Sequence, residues 1–297
     1  MIEPTPGMAD ILAPGLTRVL APNPGPMTHW GTNTYLYGTD TLSVIDPGPP
    51  GEPHLNAILR AAGDRPITHI LVTHAHLDHS PLAAKLAQMT GAPIYGFGRA
   101  TDGRSPVMQT LAEQGMAGGG EGVDHAFQPD KTLSDGDVIT GDGWHLDVLH
   151  TPGHFAGHLA FGTDGWWMSG DHVMDWASSL VSPPDGDLTD FMHTSHRLRA
   201  LAPKRLFPGH GNPIEDPVAR LDWLIDHRLT REAGILDALS SDPQSLRQIT
   251  RRVYTDTDPA MQPAAERNVF AHLVDLVGRN RAKATPELSP DARFIRL

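Results

Sequence analysis

The segment Thr73-His74-Ala75-His76-Leu77-Asp78-His79 limits what this chain can fold into more than any other, because four potential metal ligands fall within six positions. It stands at the end of a predicted buried strand. Alternate side chains of an extended segment share a face, so His74 and His76 can bind one ion together. The chain then turns toward a predicted helix, which lets Asp78 and His79 reach a second ion.

The composition restricts the chemistry of such a site. The 297 residues include no cysteine, which excludes disulfides, thiolate ligands and a cysteine nucleophile. Any metal must therefore be held by His, Asp and Glu. Neutral imidazole suits zinc, iron and manganese, and carboxylates support a hard, hydrated site. We expect two divalent ions, zinc first and iron or manganese as the alternatives.

The general class of protein follows from hydropathy and charge. Hydrophobic residues make up 39% and charged residues 20%, as in a soluble globular protein with a real core. No apolar run approaches the roughly 20 residues that span a bilayer, so we expect no membrane partner. The first six residues have neither a basic segment nor an apolar stretch, which predicts no signal peptide and a cytoplasmic location.

The negative charge is concentrated in one part of the chain. The formal net charge is −12, yet Val218 to Leu297 carries 12 Lys and Arg against 11 Asp and Glu. The rest of the chain therefore carries the acidity, which bound cations would offset in part. A strongly acidic surface repels nucleic acid at long range, so we expect a small-molecule substrate and disfavour RNA.

Further metal ligands must come from elsewhere, because four side chains cannot complete two sites. His154, Asp171 and His210 each follow a predicted strand, and each stands directly after a glycine. One Gly-Asp or Gly-His pair is usually only a turn. The repeated placement predicts loops that converge at one edge of a sheet.

The predicted elements define two parts of the chain. Strands alternate with helices, but hairpins such as Thr34 to Tyr37 with Leu42 to Ile45 also occur. This mixture predicts packed sheets with helices outside, rather than a doubly wound parallel sheet. The composition shifts after Asn212-Pro213, so we predict a first domain over residues 1–215 and a second over 216–297.

The second domain is predicted to be mainly helical. Helical spacing of apolar residues runs over Pro217 to Leu239, Pro243 to Val253 and Pro263 to Val277. Arg281 to Leu297 could form a small hairpin. Three helices and a hairpin predict a winged-helix-like module. Because this segment is nearly neutral, we expect it to shape a pocket wall or a homodimer contact rather than to read DNA.

The order of the motifs resembles the metallo-β-lactamase superfamily. His-x-His-x-Asp-His is followed by Thr-Pro-Gly-His, then Gly-Asp, then Pro-Gly-His, and the resemblance covers about Thr34 to Asn212. Asp46-Pro47-Gly48 matches a further motif of that family. The resemblance implies an α+β fold, a four-layer αββα sandwich with the metals at one edge of its sheets.

The resemblance also implies a role for each candidate ligand. Asp171 resembles the carboxylate that bridges both metals, and Asp46 resembles a buried residue that orients the histidine loop. The implied ligands of the first metal are His74, His76 and His154. The implied ligands of the second metal are Asp78, His79 and His210.

Two features indicate the branch of the family. Asp171 is present and cysteine is not, which disfavours β-lactam hydrolysis. The segment Gly170 to Met174 continues to Ser182 to Leu188, and with the helical tail it resembles the lactamase-β-like group that bears a C-terminal winged-helix domain. That group includes mitochondrial endoribonucleases and many bacterial hydrolases whose substrates are unassigned.

These observations give three hypotheses of function. The first is a dinuclear metal-dependent hydrolase in which a metal-bridging hydroxide attacks an ester, thioester or lactone, with Asp78 orienting the nucleophile or accepting its proton. The second is a metal-dependent endoribonuclease that cleaves phosphodiesters. The third is a non-catalytic binding module, which the complete ligand set argues against.

Five further residues are candidates for a substrate pocket. His29 and Trp30 precede a core strand and could reach over the site, although a solvated turn is an equal alternative. His172, Met174 and Trp176 follow Asp171, and ordinary core packing is the alternative for Met174 and Trp176.

Overall fold

Two large sheets and one small sheet form the framework of the protein. The computed structural model describes residues 3–119, 122–256 and 258–297. The first sheet has seven strands, which lie in the order of the chain. They are β1 (Ala9–Ala13), β2 (Leu16–Leu20), β3 (Asn33–Tyr37), β4 (Leu42–Ile45), β5 (Ile67–Leu71), β6 (Ile94–Gly96) and β7 (Lys131–Thr132).

Strand direction in this sheet changes at β4. The pairs from β1 to β4 are antiparallel, which short turns permit, whereas β4 to β7 run parallel. Parallel neighbours need crossover connections. The connections contain three helices: α1 (Glu52–Ala62), α2 (Leu82–Thr90) and α3 (Pro106–Glu113).

The second sheet has five strands in the order β12-β11-β10-β9-β8, and the pair β11–β12 is parallel. Helix α4 (Leu188–Ala200) connects that pair. The strands are β8 (Val138–Gly141), β9 (Trp144–His150), β10 (Leu159–Thr163), β11 (Trp166–Gly170) and β12 (Arg205–Pro208).

The layers follow from the alternation of side chains along the strands. Leu36 of β3 packs with α1 and α2 on one face of the first sheet, whereas its neighbour Tyr35 packs against the second sheet, for example near Phe207. The outer face of the second sheet is covered by α4, through Phe191 and Leu198. This order of helix, sheet, sheet and helix confirms the predicted αββα sandwich.

The C-terminal part has its own core. Helix α5 (Pro217–Ala238) is followed by β13 (Gln244–Ser245), α6 (Leu246–Val253), a 3₁₀ turn at Pro259–Met261, α7 (Gln262–Gly278), β14 (Ala282–Thr285) and β15 (Arg293–Arg296). The three strands form an antiparallel sheet in the order β13-β15-β14. Within the described residues, no helix is both long enough and apolar enough to cross a membrane.

Helix α5 belongs to both cores. Leu221 and Leu224 in its first half pack against the second sheet, whereas Ile235 and Leu236 near its end pack with α6 and α7. Helix α3 also packs into the C-terminal core, through Met108 and Leu111 among others. The two parts therefore share a buried, apolar boundary.

The start of α6 corrects one predicted helix. The prediction began that helix at Pro243, but Gln244 and Ser245 pair with β15. Ser245 then caps α6, since its hydroxyl accepts a hydrogen bond from the backbone of Gln248, whose side chain accepts one from the backbone of Ser245. This capping box is a signature that the sequence already contained.

Candidate metal centre

The first of two ligand clusters is formed by three imidazoles. His74 and His76 follow β5, and His154 follows β9 in a neighbouring sheet. His74 Nε2 lies 2.9 Å from His76 Nδ1, and His154 Nε2 lies 3.2 Å from the same atom. All three side chains are buried, and the cluster could hold a metal ion.

The second cluster combines two carboxylates with two imidazoles, and it also could hold a metal ion. His210, after β12, places its Nε2 3.1 Å from Asp78 Oδ2 and 3.2 Å from Asp171 Oδ2. The Nε2 atom of His79 lies 3.4 Å from each of these two carboxylates. Asp171 follows β11, so ligands from both sheets meet at one edge.

Asp171 stands between the two clusters. Its Oδ2 lies 3.2 Å from His210 Nε2 in the second cluster and 3.8 Å from His154 Nε2 in the first. A carboxylate has two oxygens and can contact two cations. The carboxylate of Asp171 therefore lies within reach of both ligand clusters.

Asp46 connects the histidine loop to the neighbouring strand β4. Its Oδ1 accepts a hydrogen bond from the backbone N–H of Thr73 at 2.7 Å, and its Oδ2 accepts one from the Thr73 hydroxyl at 2.7 Å. Oδ2 also lies 2.9 Å from Nδ1 of His79. One buried carboxylate therefore orients both the start of the loop and a side chain of the second cluster.

His158 positions the backbone at Asp171. Its Nδ1 lies 2.7 Å from the hydroxyl of Thr151, and its Nε2 accepts a hydrogen bond from the backbone N–H of Asp171 at 3.1 Å. The preceding Gly170 has a φ of 47°, and a Cβ atom there would lie 2.5 Å from His158 Nε2. Glycine is needed for this close approach.

The hydrogen bonds of the imidazoles test whether a cation fits the centre. The Nδ1 atoms of His154 and His210 lie 2.7 and 3.1 Å from the carbonyl oxygens of Leu180 and Gly31. A carbonyl only accepts, so each Nδ1 carries a proton, and each Nε2 points into the centre, where a metal ion would take the place of a second proton. The Nδ1 atom of His79 likewise donates to the carboxylate of Asp46, and its Nε2 lies 3.3 Å from the Nε2 of His210.

Unpaired carboxylate oxygens give a second test. In the described part of the chain, both carboxylate oxygens of Asp78 and Oδ1 of Asp171 are buried without a hydrogen-bond donor. Such atoms are costly to bury unless a cation or a donor satisfies them. Converging imidazole nitrogens and unpaired carboxylates are the donor set that divalent zinc, iron and manganese use, so the residues fit a pair of metal ions.

The electrostatics differ between the clusters. Burial lowers the pKa of His76 to about 3 and also lowers the pKa of His154, so these rings are neutral near pH 7. Neutral imidazole is the form that binds metal. At His210 burial acts to lower the pKa, but the neighbouring carboxylates of Asp171 and Asp78 outweigh it and raise the pKa to about 10. The second cluster thus stabilises positive charge.

A small residue keeps the centre open. A Cβ atom on Gly209 would lie 2.3 Å from Asp171 Oδ1 and 2.7 Å from His79 Cε1. The backbone of Gly209 also joins the sheets, because its carbonyl accepts from Asn33 N–H at 2.7 Å and its N–H donates to Gly170 at 2.9 Å. Any side chain here would push the ligands apart.

The residues that line the opening differ in part from the predicted pocket. Met174 lines the cavity at the centre, as predicted, together with Met27 and Leu180. Trp176 lines the adjoining cavity. Sequence reasoning missed Met27 and Leu180, since neither belongs to a ligand motif.

Three other predicted pocket residues lie elsewhere. The prediction for His172 requires correction: its side chain is fully buried, its Nε2 lies 3.1 Å from the Ser195 hydroxyl, and its ring packs 4.4 Å from that of Phe191. It therefore faces α4 rather than the cavity. The ring of His29 lies 4.8 Å from that of Trp176, and the ring of Trp30 lies 4.2 Å from that of His29, so His29 contacts the cavity wall without lining the cavity.

Comparison with known proteins agrees with this fold. The family model of the metallo-beta-lactamase superfamily matches residues 27–210, and that of the beta-lactamase associated winged helix domain matches residues 245–289. A metallo-beta-lactamase family protein from Thermus thermophilus has the same fold, with a TM-score of 0.77 and 24% identity over 97% of this chain and 100% of its own.

Two relatives extend the comparison. The beta-lactamase-like protein 2 homolog of Drosophila melanogaster is 32% identical over 95% of this chain and 94% of its own length. The atrochrysone carboxyl ACP thioesterase of Aspergillus fumigatus is 27% identical over 89% of this chain and 76% of its own. The chain belongs to the metallo-β-lactamase superfamily, in the group that carries the C-terminal winged-helix domain.

Proposed function

We propose that this protein is a hydrolase that uses two divalent metal ions, zinc in the first instance, to cleave a small ester, thioester or lactone. One observation supports the proposal: seven buried side chains from four loops form two ligand clusters, and Asp171 of the second cluster lies 3.8 Å from His154 of the first. A purely structural site needs neither a shared carboxylate nor an opening to solvent. Here the centre borders a cavity.

Seven side chains of the protein would hold the two ions. His74, His76 and His154 would hold the first ion, and Asp78, His79 and His210 the second, with Asp171 shared between them. Bound in this way, a pair of divalent ions lowers the pKa of water and polarises a carbonyl group.

Asp78 is the side chain that we propose orients the attacking water. Among the described residues its Oδ1 has no hydrogen-bond partner, and the side chain lines the cavity at the centre. His79 and His210 lie next to its carboxylate and, against the opposite effect of burial, hold its pKa far below the usual range. The carboxylate therefore stays ionised, which suits it to accept a hydrogen bond from a water molecule and to orient that water toward the substrate.

The choice of a carboxyl derivative rests on two points. The fungal relative is named as a thioesterase acting on an acyl carrier protein substrate. The formal charge of −12 opposes the approach of a polyanion. A phosphodiester of RNA is the second candidate, and the assay below separates the two.

The test combines metal analysis with a substrate panel. The purified protein should contain close to two zinc, iron or manganese ions per chain, and it should hydrolyse thioesters, esters or lactones faster than phosphodiesters or single-stranded RNA. His76→Ala and Asp171→Ala should each remove most activity and part of the bound metal. His145→Ala, an exposed histidine of β9, is the matched control and should keep both.

Two results would refute the proposal. One is full activity of His76→Ala or Asp171→Ala at normal metal content. The other is cleavage of RNA by the metal-loaded protein with no hydrolysis of any carboxyl derivative.

A further inference from the structure

A second cavity adjoins the one at the metal centre. Met27, Met174 and Leu180 line both the space at the metal ligands and an adjoining cavity of about 140 Å³. Met174 and Leu180 are buried, and Met27 is partly buried. These three side chains therefore stand between the ligands and the adjoining space.

The far wall of this cavity comes from the C-terminal domain. Met261 at the end of the 3₁₀ turn, with Ala264 and Asn268 of α7, faces Trp176 across it. Positions spaced by three and four residues share one face of a helix, so one face of α7 closes the cavity. The sandwich supplies one wall and the winged-helix domain the other.

The lining of the cavity is apolar. Among the described residues that border it, none carries a charge, and methionine, leucine, tryptophan and alanine contribute most of the side chains. Two arginines donate to backbone carbonyls of lining residues instead: Arg228 to those of Ser178 and Ser179, and Arg220 to those of Met174 and Ala177. The cavity therefore lacks the cations that bind a nucleic-acid backbone.

We propose that this cavity, from Met27 and Leu180 to Ala264 of α7, binds the uncharged acyl chain of the substrate, with room for a group of about six carbons. The inference rests on the proposed hydrolase function and specifies its substrate class. The volume of about 140 Å³ is similar to that of an apolar cavity of roughly 150 Å³ that accommodates benzene. Methionine side chains adapt well to such a guest.

Hydrolysis leaves the acyl chain of the substrate bound in the cavity. Water adds to the acyl carbon, the bond from that carbon to sulfur or oxygen breaks, and the released proton passes to the leaving group. The carboxylic acid product keeps its hydrocarbon part in the cavity. A matching fatty acid should therefore bind even when no reaction occurs.

The first experiment measures the dependence on chain length. Metal-loaded protein is assayed with N-acetylcysteamine thioesters from acetyl to dodecanoyl. We expect kcat/KM to rise about fourfold for each methylene that is buried, to reach a maximum near hexanoyl, and to level off or fall beyond it. Calorimetry with hexanoate should show binding, whereas acetate should bind at least tenfold more weakly.

Variants of the far wall locate the effect. Ala264→Phe should fill the cavity, move the maximum to shorter chains and abolish hexanoate binding, while metal content stays the same. Met261→Glu, at a position that is 37% exposed, places a charge at the same wall and should lower turnover of the hexanoyl thioester at least tenfold. Ala84→Phe, at an exposed position of α2, is the matched control and should change nothing.

The outcomes separate this inference from the proposed function. Thioester hydrolysis that is independent of chain length, or an Ala264→Phe variant with an unchanged profile and unchanged hexanoate binding, overturns the acyl cavity and leaves the hydrolase standing. Hydrolysis of RNA alone by the metal-loaded protein overturns both.

Discussion

The Nδ1 atom of His154 lies 2.7 Å from the carbonyl oxygen of Leu180, and both chain neighbours of Leu180 form hydrogen bonds with the C-terminal domain. The residues on either side of Leu180 are held from that domain. Arg228 of α5 donates to the carbonyl of Ser179 at 2.5 Å, and Asn268 of α7 accepts from Val181 N–H at 3.5 Å. The orientation of His154 therefore depends on helices outside the sandwich.

The first prediction concerns Arg228, which is 2% exposed. Arg228→Met should weaken metal binding by the cluster of His74, His76 and His154 about 10- to 100-fold, the usual cost of losing an orienting partner. It should also lower the free energy of unfolding by about 1–3 kcal/mol, because buried carbonyls lose their donor. Chelator competition and chemical denaturation measure these effects.

A matched variant lies on the same helix. Arg231→Met removes a partly buried arginine that donates to Val253 instead, and it should leave metal affinity unchanged. Should Arg228→Met fail to fold, Asn268→Ala tests the same connection. Equal metal affinity in wild type, Arg228→Met and Asn268→Ala would show that the C-terminal helices do not orient His154.

The second prediction concerns Asp46. Asp46→Asn replaces one accepting oxygen by an N–H₂ group, so either the contact with Thr73 or the contact with His79 must be lost. Metal affinity should fall about 10- to 100-fold, and more for the second ion, since only His79 touches Asp46 directly among the proposed ligands. Asp40→Asn, an exposed position, is the control. Stepwise titration with zinc that shows two unchanged sites would contradict the prediction.

The third prediction concerns the space at Gly209. Gly209→Ala places a Cβ atom 2.3 Å from Asp171 Oδ1, so the shared carboxylate has to move. We expect the variant to bind fewer than two ions and to lose most activity. Gly278→Ala at the end of α7 meets no atom within 4 Å and should be neutral or stabilise the fold by up to about 1 kcal/mol. A Gly209→Ala protein with two ions and full activity would be inconsistent with this geometry.

The candidate ligands could be predicted from the sequence because each lies in a short motif directly after a predicted strand. The histidine loop and the glycine-preceded ligands each follow a strand, so the shared edge of the sheets could be predicted before their contacts were known. His172 shows the limit of this reasoning. It is adjacent to Asp171, but its side chain leaves the backbone on the opposite side and packs on Phe191, which a motif does not reveal.

Contacts between distant segments could not be predicted. Leu180 carries no motif, and its importance comes from its carbonyl group, which every residue has. Arg228 was indistinguishable from the other arginines of a long amphipathic helix, and its burial depends on where α5 crosses Phe191, with the guanidinium 5.0 Å from that ring. Helix α3 was also missed, because Met108 and Leu111 pack against a core formed by residues far along the chain.

The fourth prediction concerns pH and His54, a buried histidine outside the ligand clusters. Burial lowers the pKa of His54 from 6.5 to about 4. Between pH 6.5 and pH 4 the imidazole of His54 is protonated in the unfolded chain but not in the folded protein. The free energy of unfolding is therefore unaffected by this group above pH 6.5 and falls by about 3 kcal/mol in total as the pH drops toward 4. His54→Gln can keep the hydrogen bond to Thr34 without titrating. In metal-free protein, denaturation from pH 7 to 4 should therefore show a smaller loss of unfolding free energy for the variant, and equal losses would disprove the prediction.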